Sequence, residues 1–455
     1  YLRHHISEGL RIPQDKLPAD GSLKGYDLHA LGAELEYDLR QDFKFQLYPH
    51  EVQAHPSIPE LSRYLLVEMD RLQDPQRFAE NKPLSAYPLK PYRAQTSGAQ
   101  RTNTAKKNPP MVFVHSSPRA GSTLFRVMLA GHPRLFCPPE VNLLFFEGMR
   151  EWRENIGFGS EMEWTTGGLQ WALMELEKLD SPAGAALVDR LVAEDVSAQD
   201  VSRRLQEKSS PRLLVDKTPT YAMDVETLER AERMFEGNKY IYLYRHPLPV
   251  MESILRMRFD RLFAAGLFGD ADVDPYVVAE TVWALSNRNL LNFFDGIGRK
   301  RCHWVRYEDL VADPTKVMTG VARFLGLEFD ERMVQPYDGK KDRMMGGLGD
   351  PNILQHQGIE KKMGESWKRI KWPRPFDAST HAVIERLGAT PTQPLVAAQP
   401  VATPAAKQKV TAAEAEKLLE NMDQLSDEQV AELLAVMEDA GGGDGGDSSS
   451  SEDAA

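Results

Sequence analysis

One stretch restricts the possible folds more than any other: "MVFVHSSPRAGSTLFRVMLAGHP", residues 111–133. Four apolar residues run into a loop of Ser, Pro, Arg and Gly, and from about Ser122 apolar positions recur at helical spacing. A strand, a tight loop and a helix N-terminus in that order gather backbone N–H groups and the positive end of a helix dipole around one point, which favours an anion. Laid on the phosphate loop of ATPases, G-x-x-x-x-G-K-S/T, Gly121 stands for the second glycine and Ser116 for the first, while Ser122 stands where lysine is required. The missing lysine argues against a magnesium nucleoside triphosphate. The cation lies inside the loop, at Arg119, whose guanidinium can grip an oxyanion in a bidentate fork.

Further strand-like runs at 213–215, 240–244 and 303–305 join the one at 111–114, and amphipathic helical patterns alternate with them. Such alternation predicts an α/β domain over 109–388, a P-loop-like parallel sheet flanked by helices. Ahead of it, residues 1–74 have apolar positions at helical spacing in "YLRHHISEGL", "GYDLHALGAELEYDLRQDF" and "SIPELSRYLLVEMDRL", the last opened by a Ser57/Glu60 capping box. This is a small helical bundle, separated from the α/β domain by a Pro-, Lys- and Thr-rich linker over 75–108. A second linker over 389–409 leads to two short amphipathic helices expected within 410–439. Their capping boxes are Thr411/Glu414 and Ser426/Gln429, and their stripes are too small to fold alone. They fit a docking or dimerising element, followed by a disordered acidic tail over 440–455.

The net charge of -12 belongs to that end of the chain. Residues 411–455 hold 13 acids and one lysine, which leaves 54 acids and 54 bases elsewhere, without the basic face that nucleic-acid binding requires. Cys137 and Cys302 are the two cysteines, too few for a disulfide scaffold or a multi-cysteine zinc site; both are expected as free thiols in a cytoplasmic, reducing compartment. No run of 18 uncharged apolar residues predicts a membrane span. The chain opens on Tyr1 without a signal-peptide pattern, as expected of a piece cut from a longer polypeptide.

A second motif follows the third strand-like run. In "KYIYLYRHPLPVMESILRMR" a buried strand ends at Arg245, Pro247 breaks it, and Ser253 lies on the next helix, so that Arg and Ser can meet on a second phosphate. Together, "SSPRAGST" and "YRHPLPVMES" resemble the sulfotransferases that use 3′-phosphoadenosine 5′-phosphosulfate, and "VRYEDLVADP" (305–314) resembles the strand and turn that follow their core. The resemblance covers 109 to about 370 and is strongest to the sulfotransferase domains of modular polyketide synthases. It implies that Arg119, Ala120, Gly121, Ser122 and Thr123 hold the 5′-phosphosulfate and that Arg245 and Ser253 hold the 3′-phosphate.

Sulfuryl transfer to a hydroxyl needs a positioned donor and acceptor, charge stabilisation and a base, and no metal. Related enzymes place a glutamate base in a turn after the loop helix, which here implies Glu140 in "HPRLFCPPEVNLL"; a solvated turn carboxylate is the plain alternative. Asn142 stands where polyketide-associated relatives often carry His, and it can still orient an acceptor hydroxyl. Arg119 and Lys217, in "LLVDKTPTY", are the candidates for charge stabilisation, with Lys217 equally readable as an ion-pair partner of Asp216. His132 in "GHP" reads as a helix stop, and the Gly-rich stretch 347–367 as a mobile lid with Trp367 in the core.

The flanks bear on the acceptor. Residues 1–74 resemble an acyl carrier protein in helix spacing, but the attachment serine is missing: its place falls near His29 or Asp27, and Ser7, Ser22 and Ser57 are misplaced. The unit is a degenerate carrier, a carrier-like docking domain or an unrelated bundle. With synthase-like C-terminal helices, the resemblance implies an acyl carrier domain and neighbouring synthase modules as partners. The implied acceptor is then the β-hydroxyl of a carrier-bound acyl chain, activated for decarboxylative elimination. A sugar, tyrosine or small-alcohol acceptor is the alternative within enzymes; a silent nucleotide-binding scaffold is the alternative outside them.

Overall fold

Residues 112–115 are buried on both faces, and in the computed structural model they form the central strand of a sheet covered on both sides. The structure describes residues 1–43, 45–73, 83–90, 106–155, 163–269, 273–338 and 358–388. Five strands, β1 (Val112–His115), β2 (Leu135–Phe136), β3 (Leu213–Asp216), β4 (Lys239–Tyr244) and β5 (Cys302–Arg306), lie in the order β2-β3-β1-β4-β5. All four pairings are parallel, with Val112 opposite both Val215 and Lys239. The expected α/β parallel sheet is therefore present. The sequence pattern missed β2, whose two residues are too few to show a period.

Side chains alternate across the sheet as the pleat requires. Phe113, Tyr240 and Tyr242 enter a core covered by the long helix Pro275–Ile297, whereas Val112, Val114, Ile241 and Leu243 enter a second core with the helices Ser122–Ala130 and Pro314–Leu325. Pro at the first turn and an Asp cap start several of these helices: Asp274 accepts from Tyr276 N and Asp313 from Lys316 N. The parallel order puts the carboxyl ends of β1, β3 and β4 side by side. The connections that follow β1 and β4 leave for opposite sides of the sheet there, which is where α/β sheets hold ligands.

The N-terminal segment forms α1 (Leu2–Leu10), α2 (Leu28–Phe43), α3 (Pro49–Ala54) and α4 (Ile58–Gln73) around its own core of Ile6, Leu23, Leu31, Leu35, Leu47 and Leu61. Ser57 starts α4 as expected: its hydroxyl accepts from Glu60 N at 3.3 Å and donates to the Glu60 carboxylate at 2.8 Å. Within the stretch read as linker, residues 83–90 are seated on the α/β core, through Leu84 N to Asp377 Oδ2 at 3.1 Å and Lys90 N to Leu267 O at 2.7 Å. The predicted C-terminal helices over 410–439, the acidic tail and most of the lid, residues 347–357, lie outside the described residues. No described helix is long and apolar enough to cross a membrane.

Candidate active site

The loop after β1 turns through Arg119 at φ 67° and Gly121 at φ 94°, and the helix Ser122–Ala130 begins at once. Gly121 is demanded twice. Its backbone is left-handed, and a Cβ there would lie 2.3 Å from Tyr307 Cε2. The ring of Tyr307 also lies 4.1 Å from the Arg245 guanidinium, so one side chain backs both the loop and the arginine at the end of β4. Arg119 Nε donates to Ser253 Oγ at 3.1 Å, and its guanidinium sits 5.2 Å from the centre of the Phe259 ring. The two sequence motifs thus meet, with Ser253 bonded to Arg119 and Arg245 stacked on Tyr307.

Ala120 and Ser122 are buried, and Thr123 is half-buried in the first helical turn. The Ser116 and Ser117 hydroxyls and Arg245 Nε are buried without a hydrogen-bond partner among the described residues. Buried donors in this state are costly unless a ligand or water completes them. Two arginines, unpartnered hydroxyls, a glycine-shaped backbone and a helix N-terminus suit phosphate-type anions.

The turn carrying Glu140 follows β2 and is tied to the loop helix, where an Arg126 terminal nitrogen donates to Cys137 O at 3.1 Å. Trp152 Nε1 donates to Val141 O at 3.1 Å, and Gly168 presses so close that a Cβ there would lie 2.0 Å from Glu140 O. The buried Lys217 ammonium, at the end of β3, donates to Glu140 Oε1. This corrects the expected Lys217–Asp216 pair. Asp216 accepts instead from Thr218 Oγ1 at 2.8 Å and Tyr221 OH at 3.1 Å, and Tyr221 OH accepts from Leu144 N at 3.1 Å. Burial pulls Lys217 below the ordinary lysine value, with Glu140 opposing the shift. Burial also pushes Asp216 up to about 6, against the hydrogen bonds from Thr218 and Tyr221. Asn142 follows Glu140 at φ 55°, its amide 3.5 Å from Glu140 O.

His132 is structural, accepting from Arg134 N at Nδ1 (3.0 Å) and donating from Nε2 to Glu328 O (3.0 Å). Trp367 stacks on His246 at 5.0 Å and 14°. Both cysteines are free, and burial pushes the Cys137 thiol up to about 12, which removes it as a nucleophile. Tyr307, Gly168 and Phe259 were not singled out in the sequence; only Tyr307 carried a signal, inside "VRYEDLVADP".

Residues 110–331 match the profile of the Sulfotransferase family. A solved sulfotransferase domain from the curacin biosynthetic pathway is 44% identical, covering 62% of this chain and 99% of that domain at a TM-score of 0.58. The chain belongs to the sulfotransferase family. The sulfotransferase domain of the Synechococcus PCC 7002 olefin synthase is 41% identical, covering 64% of this chain and 98% of that domain, with a TM-score of 0.57. Protein-tyrosine sulfotransferase A of Caenorhabditis elegans is 22% identical over 53% of this chain and 56% of its own length, so the chain spans little more than half of that relative.

Proposed function

We propose that this chain transfers a sulfuryl group from 3′-phosphoadenosine 5′-phosphosulfate to the β-hydroxyl of an acyl chain held on a carrier protein. The observation that supports this most is the near-complete match, at 44% and 41% identity, to the curacin-pathway and olefin-synthase sulfotransferase domains. The site supports it as well: two arginines lie at adjacent strand ends, and the loop carries Ser122 where a P-loop lysine would stand.

When bound, the donor supplies an activated sulfuryl group, whose bond to phosphate breaks as a bond to the acceptor oxygen forms. Arg119 and the N–H groups of residues 120–123 hold the phosphosulfate, and Arg245 and Ser253 hold the 3′-phosphate. Glu140 takes the acceptor proton. The hydrogen bond from Lys217 fixes one of its oxygens, leaving the other for the hydroxyl. Lys217 and Arg119 offset negative charge that grows between donor and acceptor, and Asn142 orients the acceptor. Carrier and synthase modules are the partners, and the C-terminal segment 410–439 serves docking or dimerisation. The compartment is the cytoplasm.

A tyrosine acceptor is the second reading, favoured by the 22% identity to a protein-tyrosine sulfotransferase. Intact-protein mass spectrometry separates them. A carrier domain loaded with a 3-hydroxyacyl chain, incubated with this protein and the donor, should gain one SO₃, and the gain should vanish with Glu140→Gln. No gain on the carrier alongside sulfation of a tyrosine peptide would reverse the assignment.

A further inference from the structure

A second concentration of buried charge joins the N-terminal helices to the corner between the helices Pro247–Arg256 and Phe259–Phe268. Arg258, wholly buried at φ 53°, is its centre. Its terminal nitrogens donate to Glu51 at 2.6 and 2.8 Å, Glu68 at 2.6 Å, Tyr64 OH at 2.7 Å and Gln46 O at 2.7 Å. Around it, Arg261 donates to Glu68 at 2.5 and 3.2 Å, Arg71 lies 2.8 Å from Glu68 and 3.5 Å from Asp260, and Tyr48 OH donates to Met257 O at 2.8 Å. Three carboxylates face three guanidiniums, with both signs contributed from each side of the junction.

Two features show what this junction holds in place. A non-glycine residue in the left-handed region is strained and persists only where its surroundings over-determine it. Here those surroundings are acceptors from the N-terminal helices and the segment between α2 and α3. The corner also carries donor-site parts at both ends, since Ser253 bonds Arg119 and Phe259 lies under the Arg119 guanidinium.

We infer that the N-terminal helical unit is a fixed part of the donor site and that Arg258 is a positioning residue. Glu51 and Glu68 hold the corner, the corner holds Phe259 beneath Arg119, and Arg119 so placed grips the donor. This rests on the donor assignment above. It gives the unit a role other than carrying an acyl chain.

The test uses the full chain and 3′-phosphoadenosine 5′-phosphate as probe. Glu51→Gln keeps the side chain's shape but removes one charge from the junction, and Phe259→Leu keeps the junction but removes the ring. For both, the probe's Kd and the donor's KM should rise about tenfold, the scale of one charge-assisted contact, a larger change than any fall in kcat at saturating donor. A junction that merely stabilises the fold would lower the melting temperature without this split. Unchanged Kd in Glu51→Gln overturns the inference, and if that variant does not fold, unchanged Kd in Phe259→Leu does so. Wild-type protein that binds no probe would instead remove the donor assignment itself.

Discussion

Gly168 gives the sharpest test of where the proton is taken. Its helix, Glu163–Glu177, passes so near the turn at Glu140 that a methyl group on Gly168 would lie 2.0 Å from Glu140 O, 2.8 Å from its carbonyl carbon and 3.2 Å from its nitrogen. All three are backbone atoms, so no flexible side chain can swing away. Bringing the first of them from 2.0 Å to the 3.4 Å at which ordinary contact begins needs a relative shift of about 1.4 Å between helix and turn. Overpacking of this kind costs about 1–3 kcal/mol of stability, which a chain of this size survives. The catalytic effect is larger, because a misplacement of about 1 Å at a reacting group costs about a hundredfold in rate. Gly168→Ala should therefore lower kcat for sulfuryl transfer by about two orders of magnitude, with the affinity for 3′-phosphoadenosine 5′-phosphate kept, since the loop 116–121 is untouched. Radiolabelled sulfuryl transfer and calorimetric nucleotide binding measure the two effects. A folded variant with wild-type kcat would refute the assignment of Glu140 as base; equal loss of nucleotide affinity would refute the separation of the two half-sites.

Arg119→Ala and Arg245→Ala should each weaken nucleotide binding by about ten- to a hundredfold in calorimetry, whereas Glu140→Gln should spare binding and abolish turnover. Lys217→Met strands the buried Glu140 carboxylate and should cost about 3–5 kcal/mol in urea denaturation, with part recovered in Lys217→Met/Glu140→Leu. His115, wholly buried with its ring against those of Phe113 and Tyr240, is held down to about 3 by burial. Between that value and its ordinary 6.5 the unfolded chain binds a proton that the native chain does not, so stability falls as pH falls across this window. His115→Phe keeps the stack, and its stability should decline less steeply over that window, by up to about 1.4 kcal/mol per pH unit in denaturation at successive pH values.

The sheet was legible because its strands are short apolar runs bounded by Gly, Pro and charged residues, and because the loop helix repeats its apolar positions every three or four residues. Both arginine motifs were legible for the same reason: each sits where a strand stops. Lys217 and Glu140 were visible singly but not as a pair. Each ends a different element, and only the β2-β3-β1 order brings those ends together. Asp216 looked the nearer partner, yet the side chains of successive strand residues point to opposite faces. The junction at Arg258 had no sequence signature at all. An arginine in "RMRFDR" looks like any solvated helical charge until its acceptors, some 190 to 212 residues away, are folded against it. Gly168 was silent likewise, because a close approach between elements leaves no periodic trace.

Tyr307 ties three positions into a single unit of inheritance. The same ring fills the space a Cβ at Gly121 would take and supports Arg245 at 4.1 Å. A descendant carrying a side chain at 121 must give up the ring, and giving up the ring leaves the arginine without its backing. Substitutions at any of the three are thus expected to arrive in company or to be purged, so diversification of this scaffold is steered toward the acceptor side, around Glu140 and Asn142.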